Sequence, residues 1–309
     1  MNWKLKLAGS ALVLVVGLVA FYFQDRPGGQ LRVVFCDVGQ GDAVLVHSGE
    51  VQILIDGGPN DRVLGCLGEH MPFWDREIEV VVLTHPQADH MNGLVEVLRR
   101  FRVKNLVTGL VANDTDGFRK FREEVENEQK EGMRVEEVYA GESIKVKSGE
   151  GRGMMFEVVW PGRDWVAGHL AGSGLGFNGG SGGVLGYSTG EDLNSYSIGL
   201  KLEFGDFSAL FTGDSDIGIE SEILAAGGVG DVDVMKVPHH GSKTAMTARF
   251  LETAKPELAV ISAGRNNRYG HPREETLQLL SAYGIEVART DLSGEVVIES
   301  DGRGWRRVR

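Results

Sequence analysis

The sequence has no surplus of positive charge. Its 309 residues include 32 lysines and arginines against 44 aspartates and glutamates, which gives a formal net charge of −12. A broad basic face for nucleic acid is therefore not expected, because neutralisation of phosphate charge dominates such binding. The same balance still allows a local basic groove. No internal repeat stands out, and the length fits one large domain or two small ones.

Cysteine is also scarce, since Cys36 and Cys66 are the only two. In an oxidising compartment they could form one disulfide, but neither their spacing nor their sequence context requires it. Cys36 lies within an apolar run, "VVFCDV". We therefore interpret it as a buried free thiol.

Long apolar runs are rare, and the clearest one occupies residues 7–23. Its roughly 17 residues are at the short end of what spans a bilayer core of about 30 Å. We expect residues 1–24 to form a signal anchor or transmembrane helix and residues 25–30 a linker. Two lysines before the run predict a membrane-anchored protein with an extracytoplasmic catalytic domain. A cleaved signal peptide and secretion are the alternative, but Leu18 is a poor residue beside a cleavage site.

The remaining residues, 31–309, alternate between strand-like and helix-like patterns. Stretches such as "LRVVFCDV" and "EIEVVVLTH" are typical of strands, and "DGFRKFREEVENEQKEG" is typical of an amphipathic helix. Two strand-rich halves, each edged by helices, predict an α/β domain in which two sheets pack together with helices outside. Residues 167–190 are rich in glycine, and we interpret them as a flexible surface loop.

Ligand-type side chains follow four apolar, strand-like runs. The stretch "LTHPQADHMNGL" would gather two imidazoles and a carboxylate in one loop, and "ILIDGG", "ALFTGD" and "VMKVPHHGS" add further candidates. A dinuclear metal hydrolase needs such a set, with imidazoles to hold the ions and a carboxylate to bridge them. The candidates are Asp56, His85, Asp89, His90, Asp214, His239 and His240.

These motifs resemble the metallo-β-lactamase superfamily, and within it the extracytoplasmic hydrolase domain of ComEC-type DNA-uptake proteins. The matching stretches are "DVGQGDAVLV", "ILIDGG", "THPQADHMNGL", "FTGD", "KVPHHGS" and "NNRYGHP", in that order within residues 31–272. The resemblance implies a four-layer αββα sandwich, the metallo-β-lactamase fold. The many-helix channel of those proteins has no counterpart here, so we expect a free-standing hydrolase domain on a single anchor.

The resemblance also implies a metal-ligand set, from which this chain departs at two positions. The family motif His-x-His-x-Asp-His has Gln87 in place of its second histidine, and Asn194 lies where a further histidine is usual. One metal position keeps a full set, and the other keeps His85 with weaker oxygen ligands from Gln87 and Asn194. We expect one or two divalent ions, zinc or manganese, with magnesium also suited to the weaker position. The full set is Asp89, His90, Asp214 as the bridging ligand, and His239.

The other matched residues take outer roles. We assign catalysis to Asp89 and Asp214, which hold metal, and to His240, which would bind a phosphoryl oxygen or protonate the leaving group. Six further residues would orient the ligands or contact substrate: Asp56, Asp37, Asp42, Ser242, Lys243 and His271.

Our leading hypothesis is a metal-dependent phosphodiesterase, a nuclease on extracellular DNA that acts by attack of a metal-bound hydroxide. Its partners would be the membrane, DNA and components of a DNA-uptake channel. The alternatives are a β-lactamase, a lactonase or a phosphorylcholine esterase on the same fold, or a non-enzymatic anchored module with a decayed metal site.

Overall fold

The computed structural model describes residues 29–147, 152–172, 186–187, 189 and 192–309. The expected anchor, residues 1–24, and most of the expected linker lie outside these ranges, as does most of the glycine-rich segment. Among the described residues, no helix is both long enough and apolar enough to cross a membrane.

The first sheet has eight strands in the order β15-β14-β1-β2-β3-β4-β5-β6. Its middle strands β3, β4 and β5 run parallel, and the second half of β4, residues 80–83, is a continuous apolar run that is buried. The strands are β1 (Leu31–Phe35), β2 (Val44–Ser48), β3 (Val51–Ile55), β4 (Glu77–Leu83), β5 (Arg102–Thr108), β6 (Arg134–Glu137), β14 (Val296–Ser300) and β15 (Trp305–Arg307).

The second sheet has seven strands in the order β13-β12-β11-β10-β9-β8-β7. Strands β10 to β13 run parallel, and the others pair in antiparallel fashion. The strands are β7 (Ser143–Val146), β8 (Met154–Trp160), β9 (Gly199–Phe204), β10 (Phe207–Phe211), β11 (Val234–Lys236), β12 (Leu258–Ile261) and β13 (Glu286–Arg289).

Eight α-helices lie within the described residues, together with short 3₁₀ segments at Leu193–Tyr196 and Pro238–Gly241. The first three pack on the first sheet and three of the later ones on the second. They are α1 (Val63–His70), α2 (Ala88–Arg100), α3 (Asp116–Lys130), α4 (Arg163–Gly172), α5 (Glu220–Ala226), α6 (Ala248–Ala254), α7 (Glu274–Ala282) and α8 (Thr290–Ser293).

Three apolar clusters show how the layers stack. One fills the space between the sheets, with Phe35 of β1 facing Phe211 of β10 at a ring-centroid distance of 6.1 Å. A second joins the outer face of the first sheet to helices such as α2, through Leu94. A third joins the second sheet to α6, through Phe250. The order helix, sheet, sheet, helix confirms the predicted αββα sandwich.

Two expectations need correction. Cys36 is buried as predicted but is not a free thiol, because it forms a disulfide with Cys66. The sequence shows burial of Cys36, whereas only the packing of α1 against the end of β1 brings Cys66 to it. Residues 167–172, the start of the expected loop, instead form the end of α4.

Candidate metal centre

The candidate ligands meet at one edge of the two sheets. Asp56 follows β3 directly, and His85 comes two residues after its parallel neighbour β4. In the second sheet, Asp214 follows β10 and the His239–His240 pair follows the parallel strand β11. The carboxyl ends of parallel strands share one edge, so residues far apart in sequence converge there.

Four of these residues form one compact group: Asp89, His90, Asp214 and His240, whose ligand atoms all lie within 4.8 Å of one another. The Nε2 atoms of His90 and His240 are each 3.3 Å from Oδ2 of Asp214. His240 Nε2 is also 3.5 Å from Oδ2 of Asp89. Asp89 is the most accessible member, with 27% of its side chain exposed. Three members of the group are therefore buried, and Asp89 is the member that solvent reaches.

The imidazoles are oriented as metal ligands would be. Nδ1 of His90 lies 2.7 Å from Oδ2 of Asp56, and Nδ1 of His240 lies 3.0 Å from the carbonyl oxygen of Ser262. The Nε2 atoms of His85, His90 and His240 are all buried without a hydrogen-bond partner. Since buried polar atoms are normally paired, and ligating histidines use their other nitrogen to fix the ring, these residues fit a divalent metal ion.

His85 stands beside the group rather than within it. Its ring centroid is 4.2 Å from that of His90, and its Nδ1 atom contacts the hydroxyls of Thr84 at 3.0 Å and Ser197 at 3.2 Å. Burial, together with neighbouring His90, lowers the pKa of His85 to about 3. The ring is therefore neutral near pH 7, which is the form that binds metal.

Asp56 fixes the motif loop from behind. Its Oδ1 accepts a hydrogen bond from the backbone N–H of Thr84 at 2.8 Å, and its Oδ2 accepts one from the Thr84 hydroxyl at 2.7 Å. The same Oδ2 contacts His90, so one buried carboxylate holds both ends of the loop. Its left-handed backbone, with φ of 59°, turns the chain out of β3.

Lys236 is also part of the site. Its side chain is 2% exposed, forms an ion pair with Asp42, and donates to the carbonyl oxygen of Gly213 at 2.9 Å. Burial lowers the pKa of Lys236, but the carboxylates of Asp42 and then Asp214 outweigh burial and raise it. A lysine at the end of the apolar strand β11 is the signal that could have indicated its burial.

Asp42 connects this lysine to the histidines. Its backbone N–H donates to the carbonyl oxygen of Asp89 at 3.1 Å, and its Oδ1 lies 3.3 Å from Nδ1 of His240. Burial raises the pKa of Asp42, but Lys236 and then His240 lower it below its ordinary value. Gly41 is required beside it, because a Cβ atom there would lie 2.2 Å from the Asp89 carbonyl oxygen.

The two adjacent histidines, predicted as a metal ligand (His239) and an outer residue (His240), occupy different positions in the site. His240 is 1% exposed and belongs to the compact group, whereas His239 lies at its rim, with 26% of its side chain exposed. Nε2 of His239 is 3.9 Å from Oδ2 of Asp214. Both residues have left-handed backbones, with φ of 46° and 53°. This unusual turn decides which ring enters the site, and the letters "HH" alone do not reveal it.

The two substituted positions differ in their surroundings. Asn194 lies in the 3₁₀ segment before β9, and its Oδ1 atom is buried without a hydrogen-bond partner. Gln87 is half-buried at the N-terminal end of α2, and its side chain makes no capping hydrogen bond. Asn194 therefore has the environment of a ligand more clearly than Gln87 does.

The remaining predicted residues lie around the site. Ser242 is buried in the turn after His240, where its hydroxyl accepts from the backbone N–H of Thr244. His271 packs 5.9 Å from the ring of His239. Asp37 and Lys243 are instead occupied in surface ion pairs, with Arg62 at 3.4 Å and Glu275 at 3.6 Å respectively.

Comparison with known proteins agrees with this geometry. The family model described as the metallo-β-lactamase superfamily matches residues 36–265. Relatives include ComE operon protein 3 of Bacillus subtilis, 28% identical over 95% of this chain and 36% of that protein, and competence protein ComA of Neisseria gonorrhoeae, 27% identical over 92% of this chain and 34% of that protein. The chain thus spans about a third of the length of these curated relatives.

Solved structures show the same fold at low sequence identity. Igni18, a metallo hydrolase from Ignicoccus hospitalis, aligns with a TM-score of 0.53 and 15% identity over 87% of this chain and 98% of that one. The metallo-β-lactamase fold protein YhfI of Bacillus subtilis aligns with a TM-score of 0.50 and 13% identity over 87% of this chain and 100% of that one. With the family model matching most of the described residues around the site, the chain belongs to the metallo-β-lactamase superfamily.

Proposed function

We propose that this domain is a metal-dependent phosphodiesterase that acts on nucleic acid, with extracellular DNA as its substrate. The observation that carries the proposal is the set of three buried Nε2 atoms without partners, beside the carboxylates of Asp89 and Asp214. Such a set serves metal-assisted hydrolysis. The phosphodiester specificity rests on two further points, namely the loss of two superfamily histidines at Gln87 and Asn194 and the relationship to a protein named for competence.

Asp89, His90, Asp214 and His240 would hold the tight metal ion. When bound there, a divalent ion supplies Lewis acidity, which polarises a phosphoryl oxygen and activates water. The protein's part is to fix the ligands in advance. Asp56 and the carbonyl of Ser262 hold the two rings by their Nδ1 atoms, so that both Nε2 atoms point into the group.

Lys236 balances part of the negative charge in the buried group. Burial raises the pKa of Asp214, but His240, His90 and then Lys236 lower it well below its ordinary value. Asp214 is therefore an anion, and Lys236, whose Nζ atom is 3.5 Å from its Oδ1 atom, helps to keep it so. This leaves the anionic oxygen Oδ2 available to a cation on the side of the histidines.

His239 is the group placed to donate a proton to the leaving oxygen. It lies at the rim, is partly exposed, and reaches within 3.9 Å of Asp214 without joining the compact group. A donor must approach the substrate without being held by the metal, and a rim position meets this requirement.

A second, weaker metal position would use His85 with oxygen ligands. The Nε2 atom of His85 and the Oδ1 atom of Asn194 are both buried and without partners. Ser197 links this position to the first, since its hydroxyl contacts His85 and accepts from the backbone N–H of Asp214 at 3.2 Å. Amide oxygens suit manganese or magnesium better than zinc.

For location, we propose a membrane-anchored protein with the domain outside the cytoplasm. The uncharged run at residues 7–23 supports an anchor, and the Cys36–Cys66 disulfide is typical of oxidising compartments. Partners would then be the membrane and components of a DNA-uptake channel.

The test is hydrolysis by the purified full chain with manganese, magnesium or zinc. We expect cleavage of bis-p-nitrophenyl phosphate and of DNA, and little cleavage of a chromogenic β-lactam. Asp214→Asn should abolish the diesterase activity, whereas Asp231→Asn, at an exposed carboxylate paired with Lys255, is the matched control and should retain it. Cleavage of the β-lactam without cleavage of either diester substrate would refute the proposal.

A further inference from the structure

An exposed basic loop borders the candidate metal centre. Residues 265–273, "RNNRYGHPR", connect the end of β12 to α7 and contain three arginines and no acidic residue. Arg265, Arg268 and Arg273 are exposed, and among the described residues none of the three forms an ion pair within 4.0 Å. In a chain of net charge −12, this is a local positive surface of the kind that attracts phosphates.

A line of rings runs from this loop to the metal centre. Tyr269 stacks on His271 with a centroid distance of 5.8 Å and an interplanar angle of 27°. His271 meets His239 edge-on at 5.9 Å, and Nε2 of His239 lies 3.9 Å from Asp214. The outermost ring, Tyr269, is 44% exposed. A partly exposed aromatic ring thus lies two rings away from the proposed reaction site.

Arg268 adds a cation to the same face. Its guanidinium carbon is 5.0 Å from the centroid of the Tyr269 ring, and its Nη2 atom donates to the tyrosine hydroxyl at 2.9 Å. The guanidinium therefore lies over the Tyr269 ring, where it could bind a phosphate next to a base stacked on the exposed part of that ring.

The loop is held in place by its own hydrogen bonds. The side chain of Asn267 accepts from the backbone N–H of His271 at 3.0 Å and donates to the carbonyl oxygens of His271 at 2.6 Å and Gly264 at 2.9 Å. The backbone N–H of Arg273 donates to Gly241, the residue after the histidine pair, at 2.8 Å. The aromatic face and the metal centre are therefore fixed relative to each other.

From this geometry we infer that Tyr269 and Arg268 form a base-stacking subsite that makes single-stranded nucleic acid the preferred substrate class. The inference rests on the proposed phosphodiesterase function and adds the strandedness of the substrate. A flat aromatic face binds any unstacked base, and an adjacent arginine binds the backbone. In a duplex the base faces are already stacked on one another, so only the arginines would contribute.

The experiment measures binding of the full chain in detergent to a fluorescein-labelled single strand and to the matching duplex, by anisotropy, in EDTA so that no cleavage occurs. Wild type should bind the single strand more tightly. Tyr269→Ala should weaken single-strand binding by about 5- to 150-fold, the range for loss of one stacked base, and Tyr269→Phe should retain most of it. Arg268→Ala should weaken binding of both the single strand and the duplex. It should also lower the salt dependence of binding by the amount expected for loss of about one phosphate contact.

Two substitutions outside the loop serve as matched controls. Tyr283→Ala removes an equally exposed tyrosine whose hydroxyl binds Glu252 on α6, and Arg303→Ala removes an exposed arginine of the β14–β15 turn. Neither should change binding to the single strand.

Equal affinity of wild type for the single strand and the duplex, or an unchanged affinity in Tyr269→Ala, would overturn the inference. Either result would leave the proposed function intact if bis-p-nitrophenyl phosphate is still hydrolysed. Failure to hydrolyse any diester, with single-strand binding that depends on Tyr269, would instead overturn the proposed function and keep the subsite.

Discussion

The Nζ atom of Lys236 lies 3.5 Å from Oδ1 of Asp214, and each side chain is only 2% exposed. The other oxygen of this carboxylate, Oδ2, faces the Nε2 atoms of His90 and His240 at 3.3 Å. One buried carboxylate thus connects a cation that belongs to the protein with the position where a metal cation would bind. The lysine, the carboxylate and the histidines therefore form a single electrostatic unit.

Replacing the lysine should lower stability strongly. Lys236→Met leaves the buried Asp42 without its closest cation and removes one of the partners of Asp214, and loss of one partner of a buried pair lowers the free energy of unfolding by about 3–5 kcal/mol. Urea denaturation measures the effect. The double variant Lys236→Met/Asp42→Asn removes both members of the closest pair and should recover much of the loss. If the single and double variants are equally unstable, the pair is not what stabilises this region.

Alanine variants of the two adjacent histidines should differ in metal content. His240→Ala should lose the tight metal ion, because His240 is in the compact group. His239→Ala should keep it and lose turnover by about 10²–10⁴-fold, as expected for a proton donor. Elemental analysis of the purified variants, combined with diesterase assays, separates the two outcomes. Loss of metal in His239→Ala alone would restore the assignment made from the sequence.

The substituted positions predict unequal metal binding. The wild-type protein should bind one divalent ion tightly and a second weakly, since Gln87 and Asn194 supply amide oxygens in place of imidazoles. Gln87→His should tighten the second ion and shift its preference towards zinc. Calorimetric titration of the two proteins gives both affinities. Two equally tight zinc ions in wild type would show that another residue completes the site, with His271 the first to examine.

His47 should make stability depend on pH. It is 1% exposed, its ring nitrogens have no hydrogen-bond partners, and burial, followed by Arg32, lowers its pKa to about 3. In the unfolded chain His47 takes up a proton near pH 6.5, whereas in the folded state it does so only near pH 3. The contribution of neutral His47 to stability is therefore full above pH 6.5. It is lost as the pH falls towards 3, by up to about 1.4 kcal/mol per pH unit.

His47→Gln should remove that dependence, so the variant should become more stable relative to wild type as the pH is lowered. Urea denaturation at pH 7.5, 6 and 5 measures the difference. His169→Gln, at a partly exposed histidine of α4, is the matched control and should follow wild type. If the free energy of unfolding of wild type and of His47→Gln changed with pH in parallel, the lowered pKa assigned to His47 would be contradicted.

The sequence alone determined the layered α/β architecture and the edge at which the site lies. Apolar runs such as β4, followed at once by "THPQADH", identify strands by their pattern and place ligand-type residues at strand ends. These are local features, because side-chain periodicity and the positions of polar residues are properties of neighbouring residues in the chain.

Tertiary structure alone decided which residues act together. The left-handed turn at residues 239–240 turns His240 inward and leaves His239 at the rim. Lys236 pairs with Asp42, which is 194 positions away in the sequence. Cys36 pairs with Cys66, which is 30 positions away. Such contacts depend on the packing of the two sheets and their helices, which brings distant segments together through many weak interactions and leaves no local signature in the sequence.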